Sequence, residues 1–211
     1  TCLVFLSVFF FYNLANLANQ QVIIATKPQT EQFILAEMIK ALIEKQSDLT
    51  AKIIKGVGGG TANIHPGMLN GELDMYPEYT GTAWRYVLKN GSEKDSDKLY
   101  SVLTEQYIDN YKLKWIGLYG FNNTYTLAVK DTVADTHALD TFSDLAKISA
   151  DYKFGAEYDF FERQDGYIGL IDTYKFKFKS TMDMDIGLKF EAIKANKVDV
   201  INAFSTDGMI K

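Results

Sequence analysis

Among 211 residues there is one cysteine, Cys2, with only two histidines, three prolines and two tryptophans. A lone cysteine at the second position leaves no disulfide and no thiol chemistry for whatever folds beyond residue 20. His65 and His137 share no motif with each other or with a carboxylate pair at metal-ligand spacing. Histidine-assisted nucleophilic chemistry and metal hydrolysis therefore lack material, the chain does not read as an enzyme, and no cofactor is implied. Basic residues are also in the minority, 22 against 27 acidic, for a net charge of −5. Without a basic stripe to displace counterions, nucleic acid is excluded as a partner. A small cation or zwitterion remains compatible with that field.

A membrane-spanning length of apolar sequence is missing as well. Leu3 to Tyr12 is an almost unbroken apolar run, followed by the small-and-amide stretch Asn13 to Asn19. Ten apolar residues are too few to cross a bilayer and suit the core of a signal peptide, with small residues near Ala18 as a weak cleavage pattern. Because the sequence opens on Thr1, the end of a transmembrane helix is the other reading of residues 1–20. Lipidation at Cys2 is disfavoured, since the apolar segment follows the cysteine. Both readings place the remainder in the periplasm or on the outer face of the cytoplasmic membrane.

With 47% hydrophobic residues the chain has enough apolar material for one large α/β domain or two smaller lobes. From Gln21 onward, short β-branched runs alternate with segments of helical period, the pattern of βαβ units and mainly parallel sheets. Strands are expected at Val22–Ala25, Ala51–Ile54, Leu73–Tyr76, Lys114–Gly117, Thr124–Val129, Lys153–Ala156, Lys175–Phe178 and Val198–Ala203. Helices are expected at Phe33–Ile43, Ile64–Leu69, Ala83–Leu88, Leu99–Tyr111, Phe142–Ile148, Gly166–Tyr174 and Ile186–Ala195. In the first of these, Ile34, Leu35, Met38, Ile39, Leu42 and Ile43 are expected to line one buried face. A lobe boundary near residue 120 divides residues 21–120 from 121–204, and a cleft between lobes is a preferred place for a small ligand.

The run Gly56-Val57-Gly58-Gly59-Gly60-Thr61 lies between a strand and a helix, where backbone amides can cradle an anion. It lacks the P-loop lysine and the dinucleotide spacing, so a tight turn with glycines at positive φ is the better reading. His65, just before Pro66, reads as a surface or capping residue at a helix start. Asp183 and Asp185 read as a solvated helix start, because no further ligands follow at calcium-loop spacing. The informative excess is aromatic: 13 Tyr and 14 Phe. Most serve as core, but Tyr79, Tyr125 and Phe204 fall at strand ends or at the lobe crossing, where α/β sheets bind ligands. Converging ring faces there attract a soft cation such as trimethylammonium, on the order of 0.5 to 2 kcal/mol per ring.

Four stretches carry a resemblance. Thr26-Lys27-Pro28-Gln29-Thr30-Glu31-Gln32 is similar to the opening SKxFTEQ motif of the ProX/OpuC-type glycine betaine, choline and carnitine binding proteins. Gly71 to Ala83, with Tyr76-Pro77-Glu78-Tyr79-Thr80-Gly81-Thr82 inside it, resembles that family's most distinctive stretch. Phe154 to Tyr167 and Val198 to Gly208 resemble its later signatures, and the order and spacing hold from about Val22 to Lys211. The resemblance implies a two-lobe periplasmic-binding-protein fold of the type II, flytrap kind. Such a receptor closes on a betaine-type ligand and delivers it to a permease subunit or fused permease domain, with an ATPase subunit on the cytoplasmic side.

By position, Tyr79 and Tyr125 match walls of the family's aromatic box, and Phe204 stands where a tyrosine is usual. Asn123 falls where some members place a polar or acidic residue near the head group. Thr82, Lys27 and Arg163 match residues that hold the ligand carboxylate, which favours a betaine over choline. Glycine betaine leads, with choline, carnitine and ergothioneine as alternatives, or a ligand-gated sensor of the same fold. For Lys27 and Arg163 a surface salt bridge is the competing expectation. The chain departs from the pattern at Gln29, where an aromatic is common. Family members also continue beyond the position of Lys211, so residues 205–211 are expected to begin a return to a first lobe left incomplete.

Overall fold

The computed structural model describes residues 21–210, and the readings for residues 1–20 lie outside them. Two sheets organise the chain. In the first, β1 (Gln21–Ala25) pairs in parallel with β2 (Thr50–Ile54), Gln21 opposite Thr50 and Ala25 opposite Ile54, and α1 (Thr30–Gln46) is the crossover. The expected strand Leu73–Tyr76 shrinks to one parallel bridge, Met75 opposite Ile24. Ala25 N donates to Met75 O at 2.9 Å, but the next possible rung is lost. Asp74 spends its carboxylate on Ile23 N at 2.7 Å, and Pro77 has no N–H to continue the ladder.

The six apolar positions of α1 do not share one buried face. Leu35 and Ala36 are buried, and Ile39 and Ile43 pack with Val22, Ile24, Ala51, Ile53 and Met75. Ile34, Met38 and Leu42 stay 57%, 52% and 56% exposed. A sheet of two strands and a bridge covers only a narrow strip of a helix whose apolar arc is wider than that strip.

The glycine run forms the expected turn, with φ of 70°, 76° and 56° at Gly56, Gly59 and Gly60. It leads into α2 (Thr61–Leu69). His65 is therefore inside a helix, not at its start. It is buried edge-on against Tyr107 and Tyr111, because the far side of α2 is covered by α3 (Ser96–Tyr111). A helical turn at Thr80–Thr82 runs straight into a π-helix at Ala83–Val87, whose Ala83 and Trp84 pack on Leu103 and Tyr107 of α3. Asp95 caps α3 by accepting from the amides of Asp97 and Lys98. Lys114–Gly117, expected as a strand, is irregular, with Ile116 exposed and no partner strand among the described residues.

The second sheet has the order β3-β6-β4-β5: β3 (Tyr125–Val129), β4 (Lys153–Ala156), β5 (Ser180–Asp183) and β6 (Val200–Phe204). β4 is parallel to both neighbours, and β3 runs antiparallel to β6. Around it lie α4 (Asp131–His137), which the sequence reading missed, α5 (Phe142–Ile148), α6 (Tyr158–Glu162), α7 (Tyr167–Tyr174) and α8 (Lys189–Lys194). Thr141 and Asp144 form a reciprocal capping box at the start of α5.

Lys175–Phe178 was expected as a strand, but the strand starts at Ser180. Lys175 closes α7 in the left-handed region (φ 60°), and Phe176 and Phe178 stack on each other at 4.9 Å, Phe178 also on Phe154 at 4.8 Å. Their rings fill the core beside the sheet, and the chain joins β4 only from Ser180, opposite Lys153. Asp183 ends β5. Asp185 accepts from Gly187 N and caps the 3₁₀ turn Ile186–Leu188 that leads into α8, so the acidic pair splits between two elements.

Candidate ligand-binding site

Glu78 organises the first half of the site. One carboxylate oxygen accepts from Lys27 Nζ at 2.6 Å and from the Tyr79 amide at 2.7 Å, and the other from the Thr61 hydroxyl at 2.7 Å. It thereby ties the end of β1, the start of α2 and the Tyr79 loop together. Lys27 and Glu78 side chains are 6% and 4% exposed, so Lys27 belongs to a buried pair and not to a surface salt bridge. Tyr79 follows the bridge at Met75 through this loop, not the end of a strand. Its hydroxyl donates to Glu31 Oε1, and Asn123 Nδ2 donates to that same oxygen at 3.1 Å. Burial first, then the Glu31 carboxylate, pushes the phenol well above its ordinary value.

The second half is built on β3 and β6. Tyr125 and Phe204 are directly opposite in the antiparallel ladder, with ring centroids 5.2 Å apart, and Phe160 of α6 meets Tyr125 at 4.8 Å. Burial pushes the Tyr125 phenol up too. Arg163, 4% exposed, lies with its guanidinium carbon 5.0 Å from the Tyr125 ring centre. It donates to both oxygens of Asp165 at 2.8 and 2.7 Å, to the Thr82 hydroxyl at 2.8 Å and to Gly81 O at 3.4 Å. Arg163 is thus no surface residue, and it links α6 to the first-sheet segment that carries Thr82.

Two groups of residues went unread in the sequence. Lys189, 1% exposed, donates to Glu157 at 2.8 Å and to Asn202 at 3.1 Å, Asn202 donates to Glu157 at 2.9 Å, and Lys189 Nζ lies 4.4 Å from the Phe204 ring centre. The signal was Asn202, an amide inside the apolar run of β6. Asp159, 6% exposed, has one oxygen without a partner. Burial pushes its carboxyl up to about 6, against the pull of Lys27 and with the push of Glu78. It faces Gly60, where an added Cβ would stand 3.9 Å from Asp159 Oδ2 and 3.2 Å from Ile186 Cδ1.

Tyr125, Phe204, Arg163 and Thr82 are therefore in one contact chain. Tyr79, Asn123 and Lys27 form a second through Glu31 and Glu78. Among the described residues no cluster of His, Cys, Asp or Glu is placed to hold a metal ion, and no helix is long and apolar enough to cross a membrane. The glycine turn aims Gly59 N at Asp185 Oδ2, 3.3 Å away.

Residues 20–211 match the family described as the substrate binding domain of the ABC-type glycine betaine transport system. The chain belongs to this family. It is 42% identical over 215 residues, 98% of its length, to the ergothioneine transport permease/ergothioneine binding protein EgtU of Helicobacter pylori strain G27. It is 34% identical over 183 residues, 86% of its length, to the carnitine transport binding protein OpuCC of Listeria monocytogenes. The chain spans 38% of the first relative and 59% of the second. Its fold is similar to a crystal structure titled glycine betaine/carnitine/choline ABC transporter, with a TM-score of 0.59 and 29% identity over 90% of this chain and 70% of that one. The apo form of YehZ from Escherichia coli follows at 0.50 and 26%, covering 90% and 71%. The mixed α/β architecture is accordingly that of a two-lobe, type II periplasmic-binding-protein fold.

Proposed function

We propose that this chain is the extracytoplasmic solute receptor of an ABC importer, taking a quaternary-ammonium betaine between its lobes and presenting it to a permease. The observation that carries the reading is the Tyr125–Phe204 ring pair set directly against the Arg163–Thr82 link. An aromatic surface for a cationic head and a cation for a carboxylate lie side by side, as a zwitterion needs.

The donors suffice for a carboxylate. A guanidinium has five N–H groups, of which Arg163 commits four, leaving one on Nη1. Lys27 commits one of its three to Glu78, and the Thr82 hydroxyl, which accepts from Arg163, keeps its own hydrogen to donate. Tyr79, Tyr125 and Phe204 form the walls for the head group, with Asn123 beside Tyr79. Closure of the lobes follows from tighter binding to the closed form.

Among betaines, the 42% likeness to a protein named for ergothioneine favours that ligand over glycine betaine. A thermal-shift screen of ergothioneine, glycine betaine, carnitine and choline, followed by calorimetry, tests both levels, since a tight ligand raises the melting point by mass action. The ligand that binds tightest should lose at least tenfold in affinity with Tyr79→Ala. Unchanged affinity in that variant removes Tyr79 from the site.

A further inference from the structure

Glu31 sits in the first turn of α1, outside every element that supplies the proposed walls, yet its carboxylate reaches two of the site residues at once. Tyr79 and Asn123 lie 48 and 92 positions away in sequence, and both donate to the single oxygen Oε1. Oε2 receives no hydrogen bond among the described residues. The next residue, Gln32, is fully buried, with neither amide atom in a hydrogen bond of good geometry. A helix N-terminus is a favourable place for a carboxylate, so this charge is held at low cost.

We propose that Glu31 serves the ammonium end of the ligand in two ways, fixing the tilt of Tyr79 relative to Asn123 and supplying the negative charge that the trimethylammonium head faces. The inference rests on the betaine-receptor reading. A phenol that donates to a carboxylate has a more electron-rich ring, which strengthens its attraction for a cation. Methyl groups on a cationic nitrogen carry its positive charge outward and cannot donate a conventional hydrogen bond, so a carboxylate oxygen with free lone pairs is a suitable neighbour. Glu31 acts partly through Tyr79 and is in that respect a positioning residue.

The test compares the betaine that binds tightest in the thermal-shift screen with its neutral-headed carbon isostere (for glycine betaine, 3,3-dimethylbutyrate) by calorimetry or competition on the full-length protein. Glu31→Gln keeps an oxygen to receive the phenol and removes the charge. It is expected to weaken that betaine at least tenfold while changing the isostere less than threefold. Tyr79→Phe keeps the ring and removes the hydroxyl that Glu31 receives. The double variant is expected to lose less than the product of the two single losses. If Glu31→Gln proves poorly folded by its melting curve, Tyr79→Phe decides alone: it is expected to weaken the betaine more than the isostere, and equal losses there overturn the proposal. Equal losses for betaine and isostere mean a structural role only, and overturn the proposal, as does unchanged betaine affinity. A wild-type protein that binds no quaternary ammonium compound overturns the receptor reading itself.

Discussion

At the scale of the residue, Asp159 shows how burial sets a pH dependence. Its carboxyl is raised to about 6 chiefly by desolvation, so the folded protein favours its protonated form. A raised pKa contributes stability that is fully present below the ordinary carboxylate value and is lost as pH rises through about 6. Asp159→Asn should therefore stabilise the protein at pH 7.5 by on the order of 2 kcal/mol, with the gain shrinking towards pH 4.5. Urea midpoints at the two pH values measure it, and a gain independent of pH would show that Asp159 is not the titrating group. Individual residues were the least legible level of the sequence. Tyr79, Phe204 and Arg163 stood inside recognisable stretches and Tyr125 was marked by its place at the lobe crossing, but nothing local marks Asp159 as buried or Glu31 as the acceptor for Tyr79. Their partners come from distant segments, and hydropathy records neither.

Elements were easier to read where their own period decided them, and harder where neighbours did. α5 and β4 fall at the limits their patterns predict, because a capping box and a buried apolar run are local facts. Leu73–Tyr76 and Lys175–Phe178 had strand-like composition and lost the strand, in one case to Asp74 and Pro77, in the other because Lys175 still closes α7 and pairing starts only at Ser180. The split face of α1 gives a direct test. Leu35→Ala should cost about 2 to 4 kcal/mol, whereas Met38→Ser should stay within about 0.5 kcal/mol, by denaturant unfolding. If the two cost the same, the outer stripe of α1 is covered in the folded protein.

For the molecule as a whole, the alternation of strands and helices made the α/β class legible, while the antiparallel placement of β3 beside β6 was not, since periodicity carries no direction. The lobes communicate through few polar contacts, of which the Arg163–Thr82 link is the most buried. Arg163→Ala should lower stability by about 1 to 3 kcal/mol, below the usual cost of a broken buried pair because Asp165 is one-third exposed and rehydrates. It should also abolish the ligand-induced rise in melting point. A normal rise in the variant would detach Arg163 from binding.

Each proposed wall already carries a cation of its own chain: Lys27 lies 5.0 Å from the Tyr79 ring centre, Arg163 5.0 Å from that of Tyr125 and Lys189 4.4 Å from that of Phe204. A visiting cation is then a rival to tethered residents, whose effective concentration far exceeds that of any dissolved competitor. The rivalry is decided by hydration. A primary ammonium is strongly hydrated and gives up much on leaving water, whereas a methylated nitrogen that makes no hydrogen bonds gives up little. Free lysine and simple metal cations would thus be turned away by competition, without any steric gate.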